Sequence, residues 1–391
     1  MQMRRVSPAS VSVLFILLIG GAHAEDWGQY RGSNNDGRSL ESIGPVQWEN
    51  GPQQLWKVPT PLGFSSLSIA KGRAFTLVVK EDENGTSRET CVALDIDSGR
   101  ELWSTPLGSN DYDRGGGDAG AKGNGGGDGP RSTPATDGDH VYVYDAHLNL
   151  YCLDAQDGRQ IWNKDIVEEF AGRNINWKNA TSPVLDGNAV FVGGGGPGQS
   201  FLAFHKDRGE LLWKSGDEEI THATPVLANL NGTPQLIFFV QSGLVGVQVA
   251  NGKELWQSDF EYETSSAASP VVEGTSVYCS AGYGVGAGLF RIGADNDVET
   301  LWVKKNKLMN HWSTPVVHNG HLYGLFEFKK YGTAPLQCVE LATGEIKWSQ
   351  RGFGPGNCIL AGEKLIVLSD FGDLVLASAT PEEYRELGRA K

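Results

Sequence analysis

The chain has 391 residues, of which 39% are hydrophobic, 20% charged and 9% aromatic. That composition excludes both a disordered chain and a membrane-embedded one. The formal net charge is −14, and because residues 1–24 carry only Arg4 and Arg5 as charges, the remainder stands at −16; so acidic a surface repels phosphate backbones and anionic bilayers and argues against nucleic-acid binding.

The first element in chain order is a targeting segment. Arg4 and Arg5 precede a short apolar run, Val11 to Ile19, and Ala22-His23-Ala24 has the form of a signal-peptidase site. The run is too short to span a bilayer, which takes ~20 residues. A signal peptide over 1–24 is expected, with 25–391 as the exported chain, periplasmic or extracellular. Glu25, not Cys, follows the site, so no lipid anchor is expected. No later stretch reaches transmembrane length, and a soluble monomer is expected.

From residue 54 onward two patterns alternate. One is a strand, a Gly-bearing turn and a strand ending in Trp: CVALDIDSGRELW ending at Trp103, YCLDAQDGRQIW at Trp162 and FLAFHKDRGELLW at Trp213. It continues as VGVQVANGKELW at Trp256, LFRIGADNDVETLW at Trp302 and QCVELATGEIKW at Trp348, while GPQQLW at Trp56 keeps only the Trp-bearing half. These seven Trp recur every 43 to 59 residues. The other pattern is a β-hairpin, two β-branched apolar runs about a Gly turn. Copies begin near 65, 131, 181, 223, 268, 313 and 356, for example TSPVLDGNAVFVG and ASPVVEGTSVYCS.

Joined, the two patterns give four antiparallel strands per unit, the requirement of a β-propeller blade. The fold expected is therefore all-β, one propeller domain of seven blades, with eight as the alternative if one blade is truncated. In the seven-blade reading a strand at Gln54 to Val58 closes the ring. Pro at 134, 183, 225, 270 and 315 opens the first strand of a unit, where a missing N–H faces a channel. The blade-end Trp are expected to dock between neighbouring blades. The five Cys (91, 152, 279, 338 and 358) are scattered, without C-x-x-C, and read as small buried strand residues; one disulfide is the alternative.

Two stretches look like ligand loops but lack the chemistry. The Gly-rich insertion 108–130 offers Asp111, Asp113 and Asp118, without the spacing or closing Glu of a calcium loop, and reads as a solvated loop. Gly193 to Gly196 leads into another strand, so no helix N-terminus is available to hold phosphate.

The A-x-(D/T)-G-x-x-x-W and S/T-P-V elements resemble the pyrroloquinoline-quinone (PQQ)-like repeat of bacterial propellers. The opening DWGQYRGSNNDGRS, followed by LWKV, resembles secreted proteins grouped with the outer-membrane assembly factor BamB. The resemblance implies a non-catalytic binding or scaffold module outside the cytoplasm, with a protein partner or small ligand. It leaves a PQQ-dependent oxidoreductase of alcohols or sugars as the alternative. Quinoproteins of this fold carry a vicinal Cys-Cys and a Glu/Asn/Asp calcium site. This chain has no adjacent Cys pair and no assignable carboxylate set, so no cofactor is expected, PQQ with calcium being the alternative.

Propeller ligands sit at the channel mouth, on loops leading into the innermost strands. Here those loops carry Arg131, Trp177, Asn179, His222, His311 and Trp312 as candidates. Arg and Trp dominate buried binding contacts. The two His are isolated, not a spaced pair, and no metal site is expected. No catalytic residues can be named.

Overall fold

Each blade starts from an apolar hairpin whose turn residues accept positive φ, and ends in a strand polar on alternate positions. The computed structural model describes residues 25–41, 43–44, 48, 51–112, 129–262, 266–327 and 333–391. The expected signal segment, residues 113–128 of the Gly-rich insertion and the candidates Asp113 and Asp118 lie outside them.

The described strands form seven sheets of four antiparallel strands. Blade I comprises Ser68–Ala70, Arg73–Glu81, Ser87–Asp95 and Glu101–Ser109. Blade II comprises Ala135–Thr136, His140–Tyr144, Asn149–Asp154 and Gln160–Asp165. Blade III comprises Val184–Asp186, Ala189–Gly193, Phe201–His205 and Leu211–Ser215. Blade IV runs through Val226–Leu230, Thr233–Val240, Gly243–Gln248 and Glu254–Gln257. Blade V runs through Val271–Glu273, Ser276–Ala281, Gly286–Ile292 and Val298–Lys305. Blade VI has Val316–His318, His321–Leu325, Leu336–Glu340 and Glu345–Gln350. Blade VII has Asn357–Ala361, Lys364–Leu368, Leu374–Ser378 and Glu386–Ala390, with Arg38–Ser39 added in parallel to its first strand. No eighth sheet exists among the described residues. One short helix, Ile166–Phe170, follows blade II. No helix among the described residues is long and apolar enough to cross a membrane.

The middle strands are apolar on both faces because each face meets a neighbouring blade. In blade III, Ala189–Gly193 and Phe201–His205 are buried throughout, whereas Leu211–Ser215 buries only Trp213. Six apolar clusters fill the successive wedges from I/II to VI/VII; Phe201 and Phe238, for instance, stack at 4.0 Å across III/IV.

Every blade carries a register shift between its third and fourth strands. Immediately before it, the Trp lies opposite a small residue in most blades: Ala93, Cys152, Ala203, Gly246 and Cys338 face Trp103, Trp162, Trp213, Trp256 and Trp348. Cys152 and Cys338 are therefore small cross-strand partners of an indole. All five Cys are buried and free.

From that position the indole reaches the next blade. The indole N–H groups of Trp103, Trp162, Trp213, Trp302 and Trp348 donate to the carbonyls of Ala155, Lys206, Val249, Leu341 and Thr380 at 2.7–3.1 Å. Trp256 departs from this pattern. It donates to the Gln235 side-chain oxygen at 2.6 Å within its own sheet and lies over Gly246. The Asn231 amide instead holds the Ile292 and Gly293 carbonyls of blade V.

The expected strand at 54–58 is absent: those residues are irregular, and blade VII draws all four antiparallel strands from 357–390. Blade VII has Gly388, opposite Leu376, where other blades have the docking Trp. Trp48 forms a parallel bridge to Gly388, and Trp56 donates to the Ile96 carbonyl of blade I at 2.8 Å. An irregular segment thus makes contacts that the sequence pattern assigned to a strand.

Candidate functional site

A hydroxyl girdle holds the innermost strands together. The Ser66 N–H donates to Thr133 Oγ1, Thr133 N–H to Ser182 Oγ, Ser182 N–H to Thr224 Oγ1, and Ser269 N–H to Thr314 Oγ1. Thr133, Ser182, Thr224 and Thr314, each the residue before a Pro, therefore accept from the neighbouring blade, while the Pro leaves no donor unpaired on the channel side.

The loops leading into these strands form one mouth of the channel. Asp165 caps the helix Ile166–Phe170 by accepting the Glu168 N–H, and Ala171 ends it at φ 51°. The following loop raises Trp177 and Lys178, both at positive φ, above the mouth. Two neighbours pin this turn. Arg131 of blade II donates through Nη1 to the Trp177 carbonyl at 3.0 Å, and His222 Nε2 meets the Lys178 carbonyl at 2.9 Å. The Arg131 guanidinium also lies 5.7 Å from both the Phe64 and Tyr112 ring centres. The Trp177 ring lies 6.5 Å from His222, and His311 sits between Tyr283 at 4.7 Å and Trp312 at 5.2 Å. Arg131, Trp177, His222, His311 and Trp312, widely separated in sequence, thus line one mouth.

Asn179 is not part of that surface, which corrects its candidacy as a ligand-facing residue. It is buried, its amide nitrogen donates to the Asp145 carbonyl at 3.1 Å, and its oxygen accepts from Thr181. It braces the loop.

Burial sets the charge of the mouth. Loss of solvent pushes His222 down to about 4, with Arg131 adding to the effect. Burial and then the neighbouring His222 push His311 down to about 4. Both imidazoles are neutral at pH 7.

Beneath Arg131 lies a pair of buried carboxyls that sequence reading missed, Glu89 and Asp145. Glu89 accepts from Tyr112 Oη at 2.7 Å and from the Ala146 N–H at 3.1 Å. Burial, then the Asp145 charge, raises it to about 7. Asp145 accepts from the His147 and Asn149 N–H groups and from the Asn149 amide. D-x-x-x-N at 145–149 was a legible Asx-turn signal. Nothing marked Glu89, a polar residue in a strand.

At the opposite end of the blades Asp137, His140 and Asp207 come within metal-ligand spacing. The Lys206 ammonium already sits among them, paired with Asp137 and 3.7 Å from Asp207. That cation supplies the charge a metal would bring.

The two ends differ in character. Strand direction places the loops before each first strand and the turns between second and third strands on the Arg131 side. There Leu62, Phe64, Trp177, Tyr283, Leu368 and Phe371 are about half exposed or more, Phe371 at 60%. The turns of the opposite end carry charged pairs such as Lys71–Asp139 and Arg208–Glu210, with Leu40 and Leu55 exposed beside them.

A family model described as outer membrane protein assembly factor BamB matches residues 87–350. The BamB of Yersinia pestis is 22% identical over 336 residues, covering 74% of this chain and 80% of that protein. The BamB of Escherichia coli K12 is 20% identical over 338 residues with the same two coverages. Among solved structures, BamB from Moraxella catarrhalis superposes with a TM-score of 0.55 at 14% identity, covering 83% of this chain and 84% of that one. A quinohemoprotein alcohol dehydrogenase from Comamonas testosteroni superposes at 0.63 with 13% identity, covering 93% and 73%.

Proposed function

The chain belongs to the family of the outer membrane protein assembly factor BamB, and from that membership we propose that it is a non-catalytic binding or scaffold module. It works as an exported protein, in keeping with its Arg4-Arg5, apolar and Ala-His-Ala leader. Its docking face is the aromatic rim of the Arg131 mouth, and its partner is a protein. The observation that carries this reading is the set of large apolar side chains exposed around the Arg131 mouth, Leu62, Phe64, Trp177, Tyr283, Leu368 and Phe371. Large apolar side chains exposed together at one end of a protein favour an interaction site, and Trp, Tyr and Arg are the residues that carry interface energy.

The polar groups at the mouth also favour scaffolding over chemistry. Glu89, Asp145 and Asn179 spend their oxygens and amide on structural bonds, and both imidazoles are buried and neutral. A quinone and its cation would need free carboxylate and amide oxygens together with a planar slot. These residues do not fit that donor set.

The test is site-specific photo-crosslinking in the native host, with a benzophenone amino acid replacing Phe371, Trp177 or Asp139. One discrete protein adduct from the first two positions and none from the third is the expected result. Adducts from Asp139 alone, or from no position, would overturn the docking face. The quinoprotein reading is tested by titrating PQQ and calcium while following Trp fluorescence. We expect no stoichiometric binding; micromolar binding lost in Arg131→Ala or Trp312→Ala would transfer the function to that class.

A further inference from the structure

In an antiparallel ladder, alternate residues of an edge strand turn both N–H and C=O away from their partner strand. For the first strand of each blade that direction is the channel. The N-terminal segment takes up these groups in most blades. The Ile69 N–H donates to the Trp27 carbonyl and the Thr136 N–H to the Gly28 carbonyl, while the Leu185 N–H reaches Gln29 Oε1 and the Leu360 N–H the Gly37 carbonyl. At Ile69 the exchange is complete, because its carbonyl accepts the Trp27 N–H in return, at 2.8 Å each way. Arg31 donates to the Thr314 and Pro315 carbonyls. The segment is thereby bonded to blades I, II, III, VI and VII.

Blades IV and V receive none of these bonds. There the segment turns back on itself, with the Gly37 N–H donating to the Arg31 carbonyl at 2.8 Å. Yet blade IV has the longer edge to offer. Its first strand, Val226–Leu230, is five residues long, a length matched only by Asn357–Ala361 of blade VII, and that strand carries Arg38–Ser39 as an added parallel strand. Leu227 is the counterpart of Leu185, and Asn229 repeats its orientation two residues on, opposite Pro234, which has no N–H to give. Neither the Leu227 nor the Asn229 N–H meets an acceptor among the described residues. A pocket of about 200 Å³ runs along this edge, lined by the turn of the segment and by residues 226–229 and 270–272. Leu227 packs its side chain against the III/IV cluster, so it is the backbone that faces the pocket. Solvent reaches that edge: Asn229 and Asn34 are exposed, and Leu227 and Ala228 are half-buried.

We infer that the channel edge of blade IV takes an extended segment of a partner polypeptide as an added strand. Its backbone exchanges hydrogen bonds with Leu227 and Asn229, as Trp27 does with Ile69 and as Arg38–Ser39 pairs along blade VII. Main-chain bonds supply the affinity in this mode and side-chain fit the selectivity. The only charged residues lining the pocket are Arg31 and Asp36, of opposite sign, so an uncharged backbone suits it better than an ion. At about 30 Å³ per water the volume holds roughly seven heavy atoms, one small residue with its flanking peptide groups. Asn229 lies next to the hairpin turn, so the site is at the end of the channel away from Arg131, and its failure would leave the docking reading untouched.

The experiment follows hydrogen exchange by NMR in the full exported chain labelled with ¹⁵N-leucine, alone and with up to 5 mM of the blocked pentapeptide acetyl-SVAVS-amide. Without peptide, the Leu185 and Leu360 amides should exchange at least tenfold more slowly than Leu227. Peptide should slow Leu227 at least tenfold and leave the other two unchanged. The same peptide N-methylated at its three central residues should have no such effect. Leu227→Pro, which removes the donor without removing a ladder bond, should abolish the binding heat measured by calorimetry; the methylated peptide keeps the test valid if that variant fails to fold. A Leu227 amide as slow as Leu185 in the free protein, no slowing at 5 mM, or equal slowing by the methylated peptide would each overturn the inference. So would slowing that grows with protein concentration in the absence of peptide, which would give the edge to a second copy of the chain.

Discussion

Gly252 shows how closely one residue is bound to the repeat. Its φ is +71°, and a Cβ there would lie 2.3 Å from the Trp213 ring of the preceding blade. Gly252→Ala is therefore expected to cost about 2–4 kcal/mol, part from backbone strain and part from overpacking. In a Trp213→Ala background the overpacking disappears, and the same change should cost only ~1 kcal/mol. Urea denaturation of the four proteins of this cycle measures both values. The mouth imidazoles make a second residue-scale prediction. Their folded values near 4 lie below the ordinary 6.5, so the neutral form is preferred in the fold. Their stabilisation is complete above 6.5 and lost as pH falls through 4, by roughly 3 kcal/mol each. Glu89 acts in the other direction: raised from 4.5 to about 7, it stabilises below 4.5 and loses that contribution as pH rises through 7. Asp145, also raised by burial, acts in the same direction as Glu89, so the imidazole contribution is isolated by comparison with a variant. Between pH 4 and 6.5 the denaturation midpoint of the wild type, relative to that of His311→Asn, should rise with pH.

Among the elements, the irregular stretch around Trp48 and Trp56 departs most from the repeat. The apolar clusters bridge I/II through VI/VII, and at the remaining junction this stretch runs from the edge of blade VII to blade I. Gly388 leaves room there, since a Cβ on it would lie 2.4 Å from the Trp48 Cβ. A side chain at 388 would displace the stretch. Trp56→Ala should cost ~3 kcal/mol or more, a loss comparable to that of Trp103→Ala. Thermal melts of the two variants make the comparison; a melt unchanged by Trp56→Ala would show that the junction holds without it.

For the whole molecule, the N-terminal segment matters because it is in contact with five blades at once. Each contact is small, but the segment buries Arg31 and Asn35 in the channel and pairs with the first strand of blade VII. Removing residues 25–41 should lower the melting temperature and open the channel to solvent. Hydrogen exchange would then rise at the first strands of blades I, VI and VII before it rises in their second and third strands. Exchange that stays uniform would mean the ring is held by the Trp and hydroxyl contacts alone. The net charge of −14 belongs to this scale too, because it keeps the molecule off anionic surfaces while the rim at one mouth stays apolar.

The all-β fold, the blade boundaries and the blade count of seven were legible in the chain. A Trp every 43 to 59 residues and an S/T-P before each inner strand are local patterns, and each states which face of which strand meets a neighbour. The loops that bear Arg131, Trp177, His222, His311 and Trp312 could be named for the same reason. Other features depended on distances that no local pattern encodes. Asn179 and Arg131 occupy equivalent loops, yet one is turned inward to Asp145 and the other lies over Phe64. Glu89 and Asp145 are 56 residues apart and become neighbours only when blades I and II pack. Trp256 carries the repeat signature but turns to Gln235, while Asn231, in the first hairpin turn of the same blade, bonds to the Gly293 carbonyl of the next blade instead. The segment at 27–39 has no repeat pattern, since its partners are the backbone edges of five different strands. A backbone edge accepts any sequence of suitable shape, so only the assembled channel could show where that segment lies.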